Sequence, residues 1–130
     1  MKVKRILRFY YFCESLERAL DNIILKKALA VGEYSMGQKS AEFILSVIEE
    51  KKKLSDLWLY IDGIIKRLDG ADRVSLKCYA AARGSVKSFD EVVRKEWRRA
   101  AVKFRRRARR IDDFAEAIKL VGKYYCLLAV

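Results

Sequence analysis

Apolar residues recur at spacings of three and four along most of this chain, the period of helices that turn one face to a core. From about residue 4 to residue 30, Ile6, Phe9, Cys13, Leu16, Leu20 and Ile23 form one such stripe. Tyr10, Tyr11 and Phe12 widen it, so this helix meets more than one neighbour. Residues 31–38, VGEYSMGQ, hold two glycines, a serine and no period, and read as a loop. Ser40 is placed to cap a second helix that runs to about Leu68. On it Ile44, Val47, Leu54, Trp58, Ile61, Ile65 and Leu68 alternate by three and four, with Lys51 as the polar intruder. That pattern suits a core stripe in an antiparallel bundle better than a parallel coiled coil. Gly63 sits inside this helix at a cost of about 1 kcal/mol against Ala, which predicts a close helix crossing.

Asp69-Gly70 ends the second helix. A short helix from about Asp72 to Arg83 follows, with Val74, Leu76, Tyr79 and Ala80 partly inward and Gly84 as its C′ residue. Ser88 and Glu91 then form an S-x-x-E capping box that opens a helix over 88–111. The chain either runs on from there or breaks at Asp112-Asp113, where D-F-A-E, residues 113–116, starts a new helix with acids near its positive end. Phe114, Ile118, Val121, Tyr125 and Leu128 form the last stripe, and Leu120 and Leu127 lie well off it. The last helix is therefore central in the fold or buried against a second copy of the chain, as a homo-oligomer. At 130 residues, with no proline to interrupt helices, the expectation is an all-α, single-domain bundle of four to six helices over residues 1–130.

Charge changes the picture at one place. The chain carries a formal +12. Ten of the seventeen residues from Arg94 to Arg110 are Arg or Lys, opposed only by Glu96, so this segment alone carries +9. At 100° per residue, Val93, Trp97, Ala100, Ala101, Phe104, Ala108 and Ile111 share one narrow face. Arg94, Lys95, Arg98, Arg99, Lys103, Arg105, Arg106, Arg109 and Arg110 occupy the rest, with Arg107 at one margin and Val102 the single apolar residue among the charges. A disordered basic tail would show neither stripe nor cap, and a merely solvated helix face usually mixes signs. The segment reads as a phosphate-tracking helix.

A resemblance enters at residues 54–84, LSDLWLYIDGIIKRLDGADRVSLKCYAAARG. An amphipathic helix ending in Leu, a short turn, then D-R-x-x-L on a helix with an aromatic resembles the start of region 4 of bacterial sigma factors. Residues 93–107, VRKEWRRAAVKFRRR, are similar to that family's recognition helix. The resemblance implies that Arg94, Lys95, Arg98 and Arg99 face DNA, while Ala100 and Phe104 pack inward. It departs from the family in that GSVKS, residues 84–88, stands where the first helix of the helix-turn-helix would be.

Other chemistry finds little support. There is no His, so a general base near neutral pH would need a shifted carboxylate, amine or thiol. Asp56 and Asp62 are not in i, i+4 register and read as solvated, as do Glu49 and Glu50 beside Lys51, Lys52 and Lys53, through i, i+3 and i, i+4 pairs. Neither a G-x-G-x-x-G nor a P-loop occurs, and no cofactor is expected. Cys13, Cys78 and Cys126 form no C-x-x-C, which leaves a zinc site without ligands and suggests free buried thiols in a reducing cytoplasm. The aromatics suit core packing better than base stacking. The basic start of the chain precedes an apolar run, but Arg8 breaks that run and no cleavage site follows, so it is not read as a signal peptide. No stretch is long and apolar enough to span a membrane. The expectation is a non-enzymatic, cytoplasmic protein that binds nucleic acid, with DNA ahead of RNA, as a transcription accessory of weak sequence preference. The alternative is an adaptor whose basic face docks an acidic protein. Peripheral membrane binding ranks third, because the apolar stripe is narrow.

Overall fold

A computed structural model gives an all-helical bundle. It describes residues 3–34, 37–82 and 89–128, with side chains for all of these except residues 30–40. Five α-helices occur among the described residues: α1 (Val3–Tyr34), α2 (Gly37–Ile65), α3 (Gly70–Ala81), α4 (Glu91–Arg107) and α5 (Ala115–Lys123). Two 3₁₀ turns, Ile111–Phe114 and Tyr125–Leu127, flank α5. No strand occurs among the described residues.

The long hairpin of α1 and α2 is the frame. Ile6, Leu7, Phe9, Leu16 and Leu20 of α1 meet Leu54, Leu57, Ile61 and Ile65 of α2 in one continuous core. Leu76 and Ala80 of α3, Ala100 and Phe104 of α4, and Ala117 and Val121 of α5 close it. The expected stripes are therefore the buried ones, with Cys13, Ile23, Ile44 and Trp58 half-buried at their margins. Ala100 and Phe104 pack inward, fully buried. Val74 and Val93 depart from their stripes and are 63% and 38% exposed. α5 packs on both α1 and α2 through the buried Ala117 and Val121, and Leu120 and Leu127 are half-buried.

Helix ends differ from expectation more than helix faces do. α1 continues through Gly32 to Tyr34 and α2 begins at Gly37, so most of residues 31–38 is helix and not loop. Ser40 lies inside α2, three residues past its start. α2 stops at Ile65, and Gly70 opens α3 with Asp69 as its N-cap residue. α3 stops at Ala81; Arg83, Gly84 and Ser88 lie outside the described residues. α4 is capped by Asp90, whose side chain accepts from the Val92 N–H at 2.8 Å. It ends at Arg107 and not at Ile111, because Ala108 turns out of helical geometry at φ −88°, ψ 45°.

Several charges expected on solvated faces tie helices together. Lys51 pairs with Asp21 of α1 at 2.6 Å, Lys53 with Glu116 of α5 at 2.8 Å, and Glu50 with Lys123 at 3.0 Å and with the Tyr124 hydroxyl. Asp62 is buried and not solvated. It accepts from the Tyr10 hydroxyl at 2.5 Å and pairs with Lys66 at 2.8 Å. Lys66 first, and Tyr10 after it, hold this carboxyl below the usual aspartate range. Tyr10 also stacks on Trp58, whose ring N–H donates to the Tyr10 carbonyl at 2.9 Å. Ring contacts of this kind put Tyr10, Trp58, Tyr60 and Phe114 in the packing, as expected. The thiols depart from expectation: Cys78 and Cys126 are exposed and Cys13 is half-buried. Burial, with the nearby Glu17 charge, pushes the Cys13 thiol up to about 11, so it stays protonated and unreactive near neutral pH.

Gly63 corrects another expectation. It is exposed, and a Cβ built on it would meet nothing within 4 Å. Among the described residues no helix crosses there. Gly63→Ala should therefore raise stability by about 0.5–1 kcal/mol through helix propensity and the entropy of the unfolded chain. A higher urea midpoint at unchanged slope is the expected readout.

Candidate nucleic-acid interface

α4 spans 17 residues and lies on the bundle by Trp97, Ala100 and Phe104. Trp97 packs against Tyr79 of α3 and Phe89 ahead of the helix, with ring centroids 5.8 and 4.9 Å away. The charged side of the helix therefore stands on a fixed backbone. Arg105, Arg106 and Arg107 fill the last turn, where the helix dipole favours cations.

The nine nominated residues do not form one uniform face. Lys103 reaches α3 and pairs with Asp72 at 3.0 Å, and the Asp72 side chain is only 12% exposed. Lys103 thus compensates a buried carboxylate, and its role is structural. Arg94 is half-buried, with its Nε unpartnered. Lys95 and Arg99 make long, exposed pairs with Glu91 and Glu96, 3.6 and 3.8 Å; pairs of this kind contribute little and yield easily to another anion. Arg109 and Arg110 lie in the turn beyond α4. Arg110 is held by Asp113 at 3.0 Å, and its backbone N–H donates to the Tyr60 hydroxyl at 3.0 Å. Arg98, Arg105, Arg106 and Arg109 remain: exposed, with no carboxylate partner among the described residues.

Two further arginines stand beside these, outside the nine nominated for phosphate contact. Arg107, marginal on the helical wheel, is exposed at the end of α4. Arg67, in the turn after α2, lines the same surface cleft as Arg106, Arg107 and Arg109. Nothing in the local sequence signals Arg67, because its nearness to α4 depends on how α2 and α4 meet. Arg73 fixes that turn by donating to the carbonyls of Leu68 and Lys66 at 2.9 and 2.8 Å. Among the described residues no cluster of three potential metal ligands occurs, and none of their helices is long and apolar enough to cross a membrane. The surface can attract and position anions. Comparison of the chain with protein families, curated proteins and solved structures finds no match.

Proposed function

We propose that this protein binds nucleic acid through the cationic side of α4, as a small non-enzymatic transcription accessory. The observation that carries the reading is that Arg98, Arg105, Arg106 and Arg109 stand exposed and unopposed on one well-packed segment. Guanidinium groups held this way meet phosphate oxygens with two donors each. DNA ranks ahead of RNA because of the sigma-like residues around Arg94–Arg99. No Asn or Gln lies on α4 to read adenine. Phosphate contacts set position and affinity, so sequence preference is weak.

A second reading has one observation in its favour. Val92 and Val102 are 68% and 44% exposed on the same helix, and apolar side chains among cations suit an acidic protein surface. Salt dependence separates the two. With about four to seven phosphate contacts, affinity for duplex or single-stranded oligonucleotides should fall roughly 10²–10⁴-fold between about 50 and 200 mM salt. A shallow or absent slope, with an acidic protein bound instead, favours the adaptor.

A further inference from the structure

The C-terminal turn of α2, the start of α3 and the end of α4 meet around a recess. It consists of two adjoining clefts of about 260 Å³ each that share Arg67, Arg106 and Arg107. Arg109 and Ile64 line one of them; Lys103, Asp72 and Asp69 line the other. Asp72 is already neutralised by Lys103. Four arginines against the one remaining carboxylate, Asp69, leave an excess of three positive charges. None of the four has an ion-pair partner among the described residues.

Both walls are fixed. Arg73 ties down the turn that carries Arg67. On the other wall the buried Ala108 ends α4, its N–H donating to the Phe104 carbonyl at 2.9 Å, and the Tyr60 hydroxyl holds the chain just beyond. The break returns Arg109 to the cleft that Arg106 and Arg107 line. Like charges gathered in a fixed hollow repel one another, and among the described residues Asp69 offsets only one of the four. A single backbone phosphodiester carries one negative charge and leaves most of the excess uncompensated. A phosphomonoester or an oligophosphate carries two or more.

We propose that this recess binds a phosphomonoester or oligophosphate group, either the 5′-phosphate end of a strand or a free oligophosphate. The inference rests on the polyanion reading of α4, but it uses Arg67 and Arg107, which lie outside the face nominated for backbone phosphates. The test compares 5′-phosphorylated and 5′-hydroxyl single strands of one sequence at fixed salt, and measures the thermal midpoint with tripolyphosphate alone. The proteins are the parent, Arg67→Gln/Arg107→Gln and Arg98→Gln/Arg105→Gln, each checked for native helicity. Two or more new charge-assisted hydrogen bonds should favour the phosphorylated strand by about tenfold or more in the parent. Arg67→Gln/Arg107→Gln should lose that preference and still bind the hydroxyl strand. Tripolyphosphate should raise the midpoint of the parent and not of this variant. A midpoint shift without end preference identifies a free oligophosphate as the ligand. Absence of both the end preference and the variant-sensitive midpoint shift overturns the proposal. Failure of the backbone-binding reading shows separately, as unchanged strand binding by Arg98→Gln/Arg105→Gln.

Discussion

Deleting residues 112–130 should convert the protein to an aggregating or molten product. Val121 and Leu128 are buried, 1% and 7% exposed, and each contributes about 1.5–3 kcal/mol by leaving water. Phe114 stacks on Tyr60 at 4.8 Å, and Ile118, Tyr124 and Tyr125 are partly buried against the same core. The deletion also strips Glu50 of Lys123 and Tyr124, Lys53 of Glu116, and the Ser15 hydroxyl of the Leu127 carbonyl. Total stabilities of small domains are about 5–15 kcal/mol, so losses on this scale remove the native state. Near-ultraviolet circular dichroism of Trp58 and Trp97 should vanish while far-ultraviolet helicity partly survives, and dye binding should rise. A monomeric truncation with native helicity and sharp near-ultraviolet bands would make the segment an appendage.

The helical stripes were legible in the sequence because burial repeats with the helix period. Ile6, Phe9, Leu16 and Leu20, then Leu54, Ile61 and Ile65, are the residues that meet. Leu7, Leu57 and Ile64 lie outside the stripes read from the sequence and are buried as well; Leu57 and Ile64 follow Leu54 and Ile61 by three residues, so the buried face is broader than one residue per turn. Helix ends were harder to read. Gly32 and Gly37 look like loop residues, but each costs only about 1 kcal/mol in a helix, and the long hairpin runs through both positions. Ala108 is the opposite case. Alanine favours helix, yet α4 ends there because the buried Ala108 and Ile111 are both drawn toward the core.

The candidate site divides in the same way. The concentration of charge over Arg94–Arg110 was plain from composition, and the inward packing of Phe104 followed from its period. The commitment of Lys103 to Asp72, and the arrival of Arg67 beside Arg106 and Arg107, depend on how α4 lies against α3 and α2. No spacing within one helix encodes those contacts.

The second large effect expected concerns the basic face. Arg98, Arg105 and Arg109 are exposed and have no ion-pair partner among the described residues, so changing all three to Glu should leave the fold intact. Hydrogen bonds between charged groups contribute about 1.5–3 kcal/mol each, so losing three contacts should weaken nucleic-acid binding by at least about 10³-fold. Trp97→Ala should do the reverse. Trp97 is 7% exposed and packs on Tyr79 and Phe89, so its loss should cost about 3–5 kcal/mol of stability and leave binding by the folded fraction intact. The most direct measurement is a titration of one labelled oligonucleotide at low salt with the parent and with Arg98→Glu/Arg105→Glu/Arg109→Glu, both checked for native helicity. The expected result is tight binding by the parent and none by the folded variant; equal binding by the two would contradict a nucleic-acid interface on α4.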